Sequence, residues 1–149
     1  MAKYKVLLVD DEADIRECLQ DIAQHSDLEF THAPNGREGL KLILEQSFDC
    51  VVSDMKMPHM TGLEMLVAAR AQGRDVPMVF VSAFASDELS HDVSNYGAVK
   101  LLHKLDIMKV RERIQEAIEW GQELKTIHKS EDVIGKDFIQ ILHRTSGVK

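Results

Sequence analysis

The chain has 149 residues, enough for one domain of ordinary size with a helix or two beyond it. Hydrophobic residues make up 44% and charged residues 29%, a composition that excludes a disordered chain and favours a globular protein with a sizeable core. Apolar runs are too short for a membrane span or a signal peptide, so we expect a cytoplasmic protein without membrane contact. The net charge of −7 argues against direct DNA binding, since phosphate contacts need a basic face.

The cysteines and histidines follow no metal-ligand pattern. Cys18 and Cys50 lie in apolar segments without C-x-x-C spacing, so we interpret both as small buried thiols. The seven histidines are scattered and form no motif such as H-E-x-x-H, so we predict no zinc site.

Short apolar runs alternate with amphipathic stretches along the chain, which is typical of successive strand and helix units. Strands are predicted at 5–9, 28–33, 49–53, 77–82 and 99–103. Helices are predicted at 13–25, 35–46, 62–73 and 86–97, and a long fifth helix begins at Asp106.

Right-handed crossovers between parallel strands allow few arrangements of these elements. We predict an α/β fold with a flavodoxin-like, doubly wound, five-stranded parallel sheet of order 2-1-3-4-5 and five helices. Residues 1–123 carry 13 Lys and Arg against 22 Asp and Glu, whereas residues 124–149 carry 5 against 3. We therefore assign residues 1–123 to one domain and residues 124–149 to a C-terminal extension.

Polar residues stand where the predicted strands end, and the five of them are Asp10, Asp11, Asp54, Ser82 and Lys104. Ligands of such sheets bind in the crevice beyond the carboxyl ends of the strands, at the switch point between strands 1 and 3. Each residue alone would be a turn, helix-cap or solvated residue. Their joint appearance after strands 1, 3, 4 and 5 indicates a functional site.

Three carboxylates brought close together repel one another, and a divalent cation relieves that repulsion. Mg²⁺, or Mn²⁺ in its place, suits an all-oxygen site built from a few carboxylates and water. The protein ligands would be Asp10 or Asp11, together with Asp54 and the backbone carbonyl of Lys56.

Asp54 is the candidate nucleophile of this set. A carboxylate that attacks a phosphoryl group forms an acyl phosphate and gains about one negative charge. Ser82 and Lys104 lie at the same edge of the predicted sheet, where they can donate hydrogen bonds to the new oxygens. Phosphoryl transfer asks mainly for positioning and charge neutralisation, so this set needs no dedicated general base.

Several separated motifs over residues 4–123 resemble the bacterial response-regulator receiver family of two-component signalling, and they are VLLVDDE, APNGREGL, VVSDMKMPHMTG, VFVSA and GAVKLLHK. The resemblance implies that Asp54 is the phosphoacceptor and that Asp10 and Asp11 are magnesium ligands. It likewise implies that Ser82 is the switch hydroxyl and that Lys104 is the lysine of the family's site.

The same resemblance implies partners and output. The phosphoryl donor would be a sensor histidine kinase or a histidine phosphotransfer protein, and a downstream target protein would read the phosphorylated state. The output surface would consist of predicted helix 4, strand 5 and helix 5. Such a protein is not a turnover enzyme, because it catalyses only its own phosphorylation and dephosphorylation.

Two residues depart from the family pattern. Leu105 follows Lys104 where the family usually has a proline in a cis peptide, so we expect a trans bond here. Leu101 occupies the strand 5 position where the family often has an aromatic switch, so the aromatic swing is not expected. A third residue, Phe84, would lie near the phosphoryl group, and we hypothesise that it lengthens the lifetime of the phosphorylated form.

The extension is too short for a helix-turn-helix or catalytic unit, so we expect a stand-alone receiver or one cut from a longer protein. The stretch SEDVIGKDFIQILHR predicts a short helix that Ser130 caps, with Phe138, Ile141 and Leu142 on one side. That apolar side would pack on its own domain, or it would complete a homodimer or a docking surface.

Deletion of residues 130–149 distinguishes these roles of the extension. If the extension completes a homodimer, the truncated chain should have the mass of a monomer in size-exclusion chromatography with light scattering. An unchanged mass for the truncated and full chains would count against dimerisation through this segment.

Three other functions remain open from the sequence. A degenerate receiver would bind partners without being phosphorylated, and Leu101 and Leu105 are compatible with that alternative. A phosphatase of the haloacid-dehalogenase kind needs a second acid two residues after its nucleophile, and Lys56 stands there. A flavodoxin-like electron carrier is disfavoured, because the acids of VDDEAD after strand 1 would repel the FMN phosphate.

Overall fold

The computed structural model describes residues 3–83, 96–97 and 99–130, without the side chains of residues 125 and 127–130. Its five strands form one parallel sheet of order β2-β1-β3-β4-β5, which confirms the predicted topology. The strands are β1 (Tyr4–Val9), β2 (Leu28–Ala33), β3 (Cys50–Asp54), β4 (Met78–Ser82) and β5 (Val99–His103).

Four α-helices and one 3₁₀ helix lie in the described part of the chain, and they are α1 (Ala13–Ala23), α2 (Gly36–Glu45), α3 (Gly62–Ala71), the 3₁₀ helix (Lys104–Lys109) and α4 (Val110–Ser130). Helix α4 corresponds to the fifth predicted helix. The fourth predicted helix except Tyr96 and Gly97, the Phe84 position and residues 131–149 lie outside the described residues. Among the residues described, no helix is long and apolar enough to cross a membrane.

The segment after β5 differs from its prediction. The α-helix begins at Val110 rather than Asp106, because the chain first makes the 3₁₀ helix, in which Asp106 has non-helical φ and ψ of −103° and 21°. The Nδ1 atom of His103 accepts a hydrogen bond from the backbone N–H of Leu105 over 3.0 Å and caps this turn. The peptide bond between Lys104 and Leu105 is trans, as predicted.

The end of α4 bears on the predicted extension. The helix continues without a break past Glu123, where the domain was assigned to end, to Ser130, the last described residue. The predicted short helix with Ser130 as its cap lies outside the described residues and stays a prediction.

The core consists of two apolar layers, one on each face of the sheet. Leu7, Val9 and Phe80 are buried against α2 and α3, whereas Leu8 and Val79 are buried on the face covered by α1 and α4. Each fully buried side chain of this size stabilises the fold by roughly 1.5–3 kcal/mol. The two-sided burial explains why the strands are apolar at successive positions rather than at alternate ones.

The two cysteines have different environments. Cys50 in β3 is buried, as predicted, and burial raises the pKa of its thiol well above the usual range. The prediction that Cys18 is buried was wrong, because α1 turns Leu19 and Ala23 toward the sheet and leaves Cys18 exposed.

The connection from β3 to α3 is fixed by a capping box. The Thr61 hydroxyl accepts a hydrogen bond from the backbone N–H of Glu64, and the Glu64 carboxylate accepts one from the backbone N–H of Thr61, each over 3.1 Å. The Gly62 N–H donates to the Met55 carbonyl over 2.8 Å. These bonds set the path of the chain directly after Asp54.

Gly62 is the position in this connection that a larger residue would disturb most directly. A Cβ atom there would lie 2.6 Å from the Asp54 carbonyl oxygen and 2.8 Å from Phe80 Cε1. Gly62→Ala should therefore lower the free energy of unfolding by about 1–3 kcal/mol in urea denaturation. Gly121→Ala in α4 is the control, because its Cβ would approach only the Pro77 ring, with Cγ at 3.3 Å and Cδ at 3.7 Å. Equal stability of the two variants would contradict the expected clash.

Candidate functional site

The pairing of β1 with β3 brings the predicted carboxylates together. Val9 pairs with Ser53, so Asp10 emerges from the sheet beside Asp54, the last residue of β3. Asp10, Asp11 and Asp54 each place one carboxylate oxygen within 4.8 Å of the others. Asp11 is exposed, whereas Asp10 is buried, so the group lies at the rim of the crevice and opens to solvent on one side.

The surroundings of Asp10 disfavour the ionised form of its carboxyl group. The pKa of its carboxyl is raised to about 6, mainly by burial, and the neighbouring charges of Asp54 and Asp11 contribute in the same direction. The hydrogen bond from the Glu12 N–H to Asp10 Oδ1, 2.9 Å long, and the charge of Lys104 act in the opposite direction. Either a proton or a cation would relieve this excess of negative charge.

The donor set fits a hard divalent cation. Carboxylate oxygens are the ligands that Mg²⁺ and Mn²⁺ prefer, and this cluster offers three within a small space. The raised pKa of Asp10 points the same way, because a nearby divalent charge would favour its ionised form. Lys56, whose backbone carbonyl is the predicted fourth protein ligand, belongs to the loop directly after Asp54.

Asp54 is held in place but is open enough to react. The Lys56 N–H donates to Asp54 Oδ1 over 3.3 Å, and Lys104 Nζ lies 3.8 Å from Oδ2. The Asp54 side chain is 11% exposed and the Lys104 side chain 40%. An ion pair in which the lysine is this exposed contributes little to stability, and it places a positive charge beside Asp54.

Ser82 and Lys104 reach the same edge through the register of the sheet. Asp54 pairs with Val81 in β4, so Ser82 lies one residue beyond that pair and ends its strand buried. Ser82 in turn pairs with His103, and Lys104 follows. The five sequence-predicted residues thus share one end of the sheet, and their chemical roles remain predictions.

Leu101 and Leu105 differ in environment. Leu101 is partly buried and packs against the core layer beneath α2 and α3, as an aliphatic core residue does. Leu105 is 88% exposed, and Met108 in the same 3₁₀ helix is 74% exposed. The segment after Lys104 therefore presents two apolar side chains to solvent.

Sequence reasoning missed Arg16, which binds the backbone of the site. Its Nη1 atom donates to the Asp10 carbonyl oxygen over 2.5 Å, although Arg16 is six positions further along the chain. The hydrophobic pattern of α1 gives no sign of this contact. The only signal in the sequence is a long cationic side chain one helical turn into the helix that follows the acids.

A comparison with protein-family models now identifies the fold. The model described as the response regulator receiver domain matches residues 6–119. This chain belongs to that family. The match runs from within β1 into the first half of α4, so it includes every predicted site residue of this receiver.

Individual proteins are similar to this receiver at moderate identity. The response regulator protein PilR of Pseudomonas aeruginosa is 29% identical over 119 residues, which are 79% of this chain but only 27% of PilR. The sporulation initiation phosphotransferase F of Bacillus subtilis is 26% identical over 117 residues, which are 78% of this chain and 94% of that protein. The chain thus spans about a quarter of the first relative and nearly all of the second.

Solved structures have the same fold. The response regulator TrrA of Thermotoga maritima, solved in complex with Mg²⁺ and BeF, has a TM-score of 0.67 and 25% identity. The alignment covers 76% of this chain and 98% of TrrA.

The raised pKa of Asp10 makes the stability of the receiver depend on pH. Between the usual carboxyl pKa of 3.8 and about 6, the folded chain binds the proton more tightly than the unfolded chain. Stability from this group is therefore present at low pH and lost as pH rises through about 6. In EDTA at pH 7, Asp10→Asn should raise the free energy of unfolding by roughly 2 kcal/mol, and the gain should vanish near pH 4.

Chemical denaturation at the two pH values measures this effect. Asp21→Asn is the matched control, since it removes the same charge from an exposed position on α1. It should change stability by less than about 0.5 kcal/mol at either pH. A gain for Asp10→Asn that is equal at both pH values would show that the Asp10 charge is not the cause.

Proposed function

We propose that this receiver accepts a phosphoryl group on Asp54 in a Mg²⁺-dependent reaction. The donor is the phosphohistidine of a sensor histidine kinase or of a histidine phosphotransfer protein. The observation that supports this proposal most strongly is the convergence of three carboxylates within 4.8 Å at the end of β1 and β3, with Lys104 Nζ 3.8 Å from Asp54.

The charges of the site support the dependence on a divalent cation. Three ionised carboxylates and the Lys104 ammonium sum to about −2, which a divalent cation balances. Asp10, Asp11, Asp54 and the Lys56 carbonyl would hold the cation, which would offset the charge of the incoming phosphoryl oxygens. The similarity to TrrA, which was solved with Mg²⁺ and BeF, is compatible with this assignment.

The reaction itself asks little of the protein beyond placement. A carboxylate oxygen of Asp54 bonds to phosphorus, the bond from phosphorus to the donor histidine nitrogen breaks, and the electron pair leaves with the imidazole. Lys104 and Ser82 donate to the phosphoryl oxygens of the product, because both lie at the edge where Asp54 ends its strand. The acyl phosphate adds about one negative charge to the site.

Phosphorylation is then transmitted toward β5 and α4. Ser82 pairs with His103, so a shift of the Ser82 hydroxyl toward a phosphoryl group acts on the strand that leads into the 3₁₀ helix. The exposed Leu105 and Met108 lie on that helix and provide apolar area for a target protein. The response is a population shift between two states of this surface rather than a new fold.

A second function has its own observation in favour. Leu101 packs as an aliphatic core residue, so this receiver lacks an aromatic side chain at the position where the family often has its switch. A degenerate receiver would present the surface of Leu105 and Met108 to its partner without phosphorylation. Phosphatase activity is less well supported, because Lys56 is no replacement for an acid.

Intact-mass spectrometry after incubation with acetyl phosphate tests the proposal. Wild type with Mg²⁺ should gain about 80 Da, the mass of HPO₃, while Asp54→Ala and wild type in EDTA should gain nothing. Asp14→Ala is the matched control, because it removes an exposed carboxylate in the first turn of α1, outside the group of three. It should be labelled like wild type.

Each other outcome has a definite meaning. Label on Asp54→Ala would place the acceptor elsewhere. Absence of label on wild type, with both acetyl phosphate and phosphoramidate as donors, would favour the degenerate receiver. Steady release of phosphate from a phosphate ester would favour the phosphatase.

A further inference from the structure

We propose that Arg16 is a positioning residue for the acidic group, holding the turn between β1 and α1 so that Asp10 and Asp11 face a divalent cation together with Asp54. This inference rests on the proposed function. It extends that function to a residue outside the predicted site and to the two side chains behind it, His32 and Gln20.

The Asp10 residue is held at three points. Arg16 Nη1 donates to its carbonyl oxygen over 2.5 Å, and the Glu12 N–H donates to its carboxylate over 2.9 Å. Its own N–H donates to the Ala33 carbonyl at the end of β2 over 3.2 Å. Arg16 is the only partner that contributes a side chain to these three bonds, and its charged donor makes that bond charge-assisted, like the one that the Asp10 carboxylate accepts.

Two further side chains hold the Arg16 guanidinium in place, and they are His32 and Gln20. Arg16 Nε donates to His32 Nδ1 over 3.3 Å, and His32 Nε2 lies 2.6 Å from Gln20 Oε1. Since Nδ1 accepts and Gln20 offers an oxygen, the ring proton belongs on Nε2, and the bonds run in one direction. Burial and the charge of Arg16 lower the pKa of His32. The lowered pKa keeps the ring in the neutral form that the hydrogen bonds from Arg16 to Gln20 require.

Because the three carboxylates repel one another, the turn between β1 and α1 needs a contact that keeps it in place. The three carboxylates disfavour their own proximity, and Asp11 lies exposed on a turn whose backbone could otherwise relax away from Asp54. A turn that is fixed beforehand spares the cation the free energy of gathering its ligands. Replacing a residue that does not bind the metal but orients one of its ligands typically weakens metal binding about 10–100-fold.

Charge and position make opposite predictions for Arg16. Removal of a positive charge near the site should by itself strengthen the binding of a cation, since less repulsion remains. Loss of the hold on the turn should weaken it. The sign of the change in Mg²⁺ affinity therefore separates a positioning role from a purely electrostatic one.

The test measures Mg²⁺ binding to the unphosphorylated full chain by isothermal titration calorimetry, well below the melting temperature of each variant. Arg16→Gln should bind Mg²⁺ about tenfold more weakly than wild type. Arg111→Gln is the matched control, because Arg111 Nη2 also donates to a backbone carbonyl, that of Gln24, over 3.0 Å. Arg111→Gln should bind Mg²⁺ like wild type, even if its melting temperature falls by as much as that of Arg16→Gln.

Two further variants test the chain behind the guanidinium. Arg16→Lys keeps the positive charge and a donor group but loses the planar arrangement of N–H donors of the guanidinium. Its Mg²⁺ affinity should therefore lie between those of wild type and Arg16→Gln. His32→Leu should weaken binding less than Arg16→Gln does, and the double variant should be no weaker than Arg16→Gln alone, because both changes break one chain. Additive losses would show that His32 does not act through Arg16.

The outcomes distinguish this inference from the proposed function. If wild type binds Mg²⁺ and is labelled on Asp54, while Arg16→Gln binds Mg²⁺ as well as or better than wild type, the positioning role is wrong and the function stands. If wild type neither binds Mg²⁺ nor is labelled, the proposed function fails first. Weaker binding by Arg16→Gln and unchanged binding by Arg111→Gln would support the inference.

Discussion

The parallel pairing of β1 with β3 is the constraint on which the rest of this receiver depends. It places Asp10 beside Asp54 at a distance that their charges disfavour, and the pKa of Asp10 is raised mainly by burial and further by the Asp54 charge. Two apolar layers hold the pair in place, since the strands that end in these carboxylates are buried on both faces. The free energy of the core thus sustains a local arrangement that is unfavourable by itself.

The features that the sequence could predict are those set by burial and chain direction. Buried strands show as short apolar runs, right-handed crossovers leave few strand orders, and parallel strands end at one edge. These rules predict that Asp10, Asp54 and Ser82 lie at that edge.

The features that escaped prediction depend on contacts between distant segments or on small local differences. Arg16 binds the Asp10 carbonyl through a side chain whose direction no periodicity reveals. The exposure of Cys18 follows from the rotation of α1 about its axis, which a single residue beside Leu19 does not determine. The 3₁₀ helix at Lys104–Lys109 replaces a turn of α-helix. The His103 side chain caps it, but in the sequence His103 looks like any other residue of the strand.

The region after β5 links the chemistry of the site to its surface. Lys104 stands 3.8 Å from Asp54, too far for a strong hydrogen bond, and its side chain is substantially exposed. An added negative charge on Asp54 would strengthen the attraction on Lys104 more than on any group held by backbone bonds, because the lysine is free to adjust. Leu105 follows directly and Met108 lies one turn further, so a displacement of the backbone at Lys104 would move exposed apolar side chains. In the proposed function, the weak contact between Lys104 and Asp54 would let this segment respond to the added charge.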